Sequence, residues 1–92
     1  MAAESDIEKK VRNWALSHNI LCYKFTSPGR SGVPDRMFIR DGKVVFVELK
    51  SPGKFATPLQ MREIVLIKSH GIPAIWSSSF EDTTHFLTKH LL

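Results

Sequence analysis

Disulfides, membrane spans and secretion signals are all missing from this chain. Of its 92 residues only Cys22 is a cysteine. That excludes an internal disulfide and a Cys-rich zinc site, and it fits a reducing compartment. No apolar run approaches the roughly 18 to 20 residues that a membrane span needs, and Met1-Ala2-Ala3-Glu4-Ser5-Asp6 has neither the basic nor the apolar region of a signal peptide. A cytoplasmic protein is expected. The four histidines are scattered, and His85 and His90 are too far apart along a helix to stack as metal ligands on one face. No internal repeat, low-complexity tract or long linker divides the chain, so residues 1–92 are expected to form one domain.

Thirteen Lys and Arg against nine Asp and Glu leave a net charge of +4, an excess that favours anionic partners such as nucleic acid without identifying any. Ser5-Asp6-Ile7-Glu8 has the spacing of a capping box. Ile7, Val11, Trp14, Ala15 and His18 recur at helical intervals, so residues 5–18 read as an amphipathic helix stopped at Asn19. Residues 20–26 suit a strand, and 27–34 are dense in Gly, Pro and Ser and read as a loop. Residues 35–40 and 43–50 are strand-like runs joined by Asp41-Gly42, a strong signal for a two-residue hairpin turn. After a second loop, Thr57-Pro58-Leu59-Gln60 supplies an N-cap, a first-turn proline and a capping-box glutamine for a helix over 58–70. A short strand over 74–77 and a helix opening at Ser79 complete the order α-β-β-β-α-β-α. The fold class expected is α/β, a compact domain with a mixed central sheet flanked by helices. Trp14, Trp76 and the phenylalanines are read as core, and Cys22 as a buried small hydrophobe.

The hairpin carries the chemistry. If Asp41-Gly42 is the turn, Arg40 faces Lys43, and stepping outward places Asp35 opposite Glu48 with Cβ atoms about 5 Å apart. Two carboxylates so placed repel unless a cation sits between them, and a hard divalent metal with oxygen ligands is the usual solution. Lys50 lies two residues beyond Glu48 and so on the same strand face, where its ammonium can stabilise developing phosphate charge. Glu8 falls at the rim of the buried stripe of the first helix, able to reach the sheet; Glu4 is the weaker candidate. Singly, each residue has an ordinary reading as a solvated hairpin acid, a strand-end lysine or a helix cap. Jointly they point to a site, although a paired-acid site is compatible with more than one chemistry.

Gly32-Val33-Pro34-Asp35 followed by Glu48-Leu49-Lys50 resembles the Pro-Asp…Glu-x-Lys signature of PD-(D/E)XK nucleases. Together with Glu8, the Val44-Val45-Phe46-Val47-Glu48-Leu49-Lys50 strand and Pro58-Leu59-Gln60, the pattern is similar to the VRR-Nuc family in its minimal, phage-type form, over nearly the whole chain. Glu8 and Lys24 also resemble the first-helix glutamate and the strand-end basic residue of archaeal Holliday junction resolvases. The resemblance implies a restriction-endonuclease-like fold and Mg²⁺ or Mn²⁺ bound by Asp35, Glu48 and the Leu49 carbonyl. It further implies Lys50 as catalytic, Glu8 as helping to position the nucleophile, Gln60 as a glutamine near the site, and hydrolysis of DNA phosphodiesters. Lys24, Arg30, Arg36 and Lys54 flank the site and are candidate phosphate contacts. Short family members lack the accessory DNA-binding domains of the Fanconi-associated nuclease, so dimerisation is the simplest source of selectivity. Helix 58–70 carries Met61, Ile64 and Val65 on one side and Leu59 and Leu66 almost opposite, more apolar surface than one packing contact consumes. The expectation is a homodimeric, Holliday junction resolvase-like endonuclease acting on branched DNA. The alternatives are a monomeric flap or single-strand nuclease and a catalytically silent DNA-binding module.

Overall fold

The computed structural model describes residues 5–92; Glu4 lies outside the described residues. Helix α1 (Asp6–Ser17) begins at the expected capping box, in which the Ser5 hydroxyl accepts from the Glu8 N–H and the Glu8 carboxylate accepts from the Ser5 N–H, each at 3.2 Å. Ile7, Val11 and Ala15, one turn apart in succession, are its buried residues. Asn19 then takes φ 58°, the left-handed conformation that ends a helix. His18, placed by periodicity in the buried stripe, instead caps the helix in an exposed position and stacks on the half-buried Trp14 with ring centroids 4.0 Å apart.

Strands β1 (Leu21–Lys24), β2 (Arg36–Arg40) and β3 (Lys43–Leu49) form an antiparallel meander, and β4 (Ala74–Ser77) pairs with β3 in parallel, giving the order β1-β2-β3-β4. A parallel neighbour requires a crossover, which helix α2 (Pro58–Ser69) supplies. Asp41 at φ 51° and Gly42 at φ 78° make the tight turn between β2 and β3, with Arg40 paired to Lys43 and Arg36 to Val47. Two successive positive φ values match the twist of a hairpin, and this is what fixes the register.

Side chains alternate across the sheet. Phe38, Val45, Val47 and Leu49 face helix α1 and the C-terminal helix α3 (Phe80–Leu91), where Phe86, Leu87 and Leu91 complete the core. Phe46 projects from the other face and shares a cavity wall with Leu66 and Ile67 of α2, which places α2 on that side. The result is a central sheet with helices on both faces. Helix α2 is only lightly covered: Glu63 and Ile64 are buried, while Leu59, Met61, Val65 and Leu66 are exposed. Cys22 is half-buried. Among the described residues no helix is long and apolar enough to cross a membrane.

Candidate active site

The hairpin register carries one step beyond the Arg36–Val47 pair to set Asp35, at the mouth of β2, across from Glu48 near the end of β3. Asp35 is tied to β3 beside Glu48, its Oδ1 accepting a hydrogen bond from the Leu49 N–H at 3.2 Å. Lys50 follows on the same face, its Nζ 3.8 Å from Glu48 Oε2. Glu48 is buried, 7% exposed, and its carboxyl is pushed up to about 7 by that burial and by the charge of Asp35, with Lys50 pulling the other way. Burial also raises Asp35, aided by the charge of Glu8 and opposed by the Leu49 hydrogen bond. Two carboxyls that both resist ionisation, facing each other, repel when ionised, and a cation between them would relieve that repulsion.

Beside this pair lies an ion pair between layers. Arg36 Nη2 donates to Glu8 Oε2 at 2.9 Å, with side-chain exposures of 7% and 18%. Burial works against the ionised Glu8, but the Arg36 and Ser5 hydrogen bonds hold its carboxyl below the ordinary value. Glu8 therefore sits near enough to raise both Asp35 and Glu48 electrostatically, while one of its oxygens accepts from Arg36 and the other from the helix cap, each keeping a further lone pair. Arg36, expected among the phosphate contacts, is corrected by this geometry. It opens β2 and is buried, paired with Glu8, so it is not exposed to a phosphate.

No family model matches the chain. Residues of the chain are 48% identical over 61 positions to "Putative nuclease p44" of Acyrthosiphon pisum secondary endosymbiont phage 1, a match that takes in 65% of this chain and 66% of that protein, just under two thirds of its length. A solved structure described as "VRR_NUC domain" superposes with a TM-score of 0.82 at 26% identity, covering 97% of both chains. The chain has the VRR-Nuc fold. A second solved structure, "VRR_NUC domain protein", has the same fold, with a TM-score of 0.71 at 20% identity over 98% of this chain and 88% of that one.

In this chain the loop before Asp35 is fastened to α2 at two points. Gly32 has φ +86°, and a Cβ built on it would lie 2.8 Å from the Leu59 carbonyl oxygen, so only glycine permits this approach. Arg30 forms a two-pronged ion pair with Glu63, Nε meeting Oε1 and Nη2 meeting Oε2, the latter at 2.9 Å. Glu63 is buried, and the Arg30 hydrogen bonds hold its carboxyl below the ordinary value. Gln60 closes the α2 capping box, its Oε1 accepting from the Thr57 N–H at 2.9 Å. That bond puts its side chain to structural use beside Gly32's contact. Lys24 and Lys54 are exposed, as phosphate contacts would have to be.

Three features escaped the sequence reading. Glu63 has no motif or spacing that marks it, and only its burial against Arg30 does so. Phe55, taken as core, is 74% exposed, with its ring edge-on to Trp76 at 5.8 Å. Trp76 in turn is the β4 register partner of Glu48, so an aromatic pair borders the acids. Finally, Arg36 acts inside the protein; its place two residues before the apolar Phe38, on the same face of β2, was the signal that could have placed it.

The donor set suits a hard divalent cation. Asp35 and Glu48 offer carboxylate oxygens from adjacent strands, and a cation would relieve the repulsion that pushes Glu48 up to about 7. No third His, Cys, Asp or Glu side chain joins them as a metal cluster among the described residues. A ligand set of these two acids therefore needs backbone or solvent oxygens to complete it.

Proposed function

We propose that this chain is a metal-dependent, structure-selective DNA endonuclease that works as a homodimer on four-way junctions. The observation that carries the reading is the pair of buried, opposed acids Asp35 and Glu48 with Lys50 on the same face. The kinship with VRR-Nuc structures and with a phage protein named as a nuclease supports the same chemistry. Mg²⁺ or Mn²⁺ would be held by Asp35, Glu48 and the Leu49 carbonyl, and a cation there supplies Lewis acidity toward the phosphodiester and a more acidic water.

The chain's own residues do the rest. Lys50 brings an ammonium to the same face, where it stabilises negative charge building on the phosphate. Glu8 and Arg36 form a charged floor beside the acids, with Arg36 pulling Asp35 toward its ionised form and Glu8 helping to orient the attacking water through that arrangement. Gln60 fixes the first turn of α2, against which Gly32 sets the approach to Asp35. Lys24 and Lys54 lie along the DNA backbone, contributing position rather than sequence reading, while Arg30, expected with them, has its charge met by Glu63.

The dimer reading is supported by apolar side chains left uncovered on two sides of α2, Leu59 and Leu66 on one (41% and 39% exposed) and Met61 and Val65 on the other (42% and 60%). A two-fold dimer presents two sites to a two-fold junction. In this reading the protein acts in the cytoplasm, on branched DNA.

The experiment is cleavage of a four-way junction, a flap, a single strand and a duplex with Mg²⁺, Mn²⁺ or EDTA, with Glu48→Ala as control and mass by light scattering. Paired symmetric nicks in the junction, made by a dimer and lost in the variant, are expected. Flap or single-strand cutting by a monomer would keep the nuclease and remove the resolvase. Binding without metal-dependent cutting of any substrate would make the chain a silent DNA-binding module.

A further inference from the structure

Next to the acids lies an open cavity of about 390 Å³, lined by none of Asp35, Glu48 and Lys50. Phe25, Ser27 and Val33 of the β1–β2 connection form one wall, Phe46 the floor, and Leu66 and Ile67 of α2 the other wall. Three links tie it to the site. Phe46 stands two residues before Glu48 on the same strand face, a step of about 7 Å. Val33 stands two residues before Asp35. The Phe25 N–H donates to the Asp35 carbonyl at 2.8 Å.

The chemistry of the walls selects the occupant. Phe25 and Phe46 meet edge to face with centroids 5.3 Å apart and planes at 73°, offering aromatic surface to a flat guest. The cavity's cation, Arg30, is neutralised by Glu63 in the same lining. A phosphate would meet no net positive charge there and would approach a buried carboxylate. An uncharged planar ring avoids that repulsion, and the Ser27 hydroxyl and His70 ring at the walls can hydrogen-bond its edge. The cavity is also pre-formed, since the Arg30–Glu63 pair and the Gly32–Leu59 contact hold its two walls together.

We infer that this cavity seats one unpaired nucleobase of the strand whose phosphate lies at Asp35 and Glu48. The inference rests on the nuclease reading and deepens it. Selectivity for branched DNA would come from a base freed of its partner near the cut, because a base in intact duplex must first be unstacked to enter.

The test leaves the protein unaltered in its first arm. Once the cut is mapped in a junction and a flap, a single abasic nucleotide is moved position by position across it. Cleavage is expected to fall roughly ten- to a hundredfold at one position adjoining the cut and to be little changed elsewhere, as the loss of one stacked base implies. In the second arm, 2-aminopurine occupies that position and Glu48→Gln is titrated in EDTA. A fluorescence change on binding is expected, and it should disappear when Leu66→Trp, which fills the cavity, is added to a chain that still melts cooperatively. Uniform tolerance of abasic positions with cutting intact would overturn the cavity assignment and leave the nuclease standing. Absence of all cutting would overturn the nuclease reading; 2-aminopurine is then placed in turn at each nucleotide around the branch point, and the lack of any position whose signal Leu66→Trp removes would overturn the cavity assignment as well. Should Leu66→Trp alter self-association and leave the fluorescence unchanged, the cavity is a protein contact and the inference fails.

Discussion

Replacing Glu48 by glutamine should make the metal-free protein more stable at alkaline pH even as it removes function. The folded chain keeps Glu48 protonated up to about 7, against an ordinary value of 4.5. Between those two values the folded state binds more protons than the unfolded state, so stability falls as pH rises through this window. The full displacement corresponds to about 3 kcal/mol of strain carried by the ionised folded protein above pH ~7. Glutamine keeps the shape without the charge, and it also lifts the repulsion felt by Asp35. Against this, Lys50 loses its partner at 3.8 Å, so a net gain of about 2 kcal/mol, or roughly 8–16 °C in Tm, is expected near pH 8.5. Near pH 4.5 the gap should close. Thermal unfolding in EDTA at both pH values, followed by circular dichroism, reads the effect. Adding Mg²⁺ should raise the Tm of the wild-type protein and leave the variant nearly unmoved, because a cation that binds only the folded state stabilises it. A variant less stable than wild type at alkaline pH, or a gap independent of pH, would refute the electrostatic account.

Other perturbations follow from the same geometry. Glu8→Ala strands Arg36 in a largely buried position and removes a capping box, so it should cost about 3–4 kcal/mol by urea unfolding, with part regained when Arg36→Leu is combined with it. Gly32→Ala should destabilise by more than the ~1–2 kcal/mol of a left-handed residue, because its Cβ meets the Leu59 carbonyl. Gly29→Ala, at φ +84° with open space around it, should cost only that conformational part, and equal losses at the two positions would refute the contact. Lys50→Met should lower kcat about 10²–10³-fold while leaving DNA affinity in EDTA nearly unchanged, measured by single-turnover cleavage and fluorescence anisotropy.

What was legible in the sequence is what short-range chemistry decides. Two capping boxes fix where α1 and α2 start, because the bonds that make them span three residues. Asp41-Gly42 fixes a turn, the turn fixes a register, and the register sets Asp35 across from Glu48 with Lys50 on the same face. Nothing in that chain of reasoning requires the rest of the molecule. The tertiary structure decided which faces are covered. It turned Arg36 inward to Glu8, 28 residues away, and it buried Glu63 against Arg30 across 33 residues. It left Phe55 in solvent beside Trp76 and opened a cavity between the β1–β2 connection and α2. Periodicity assigns a residue to a side of its own helix or strand, but whether that side meets a neighbour or water depends on how the layers stack, and no local pattern encodes that.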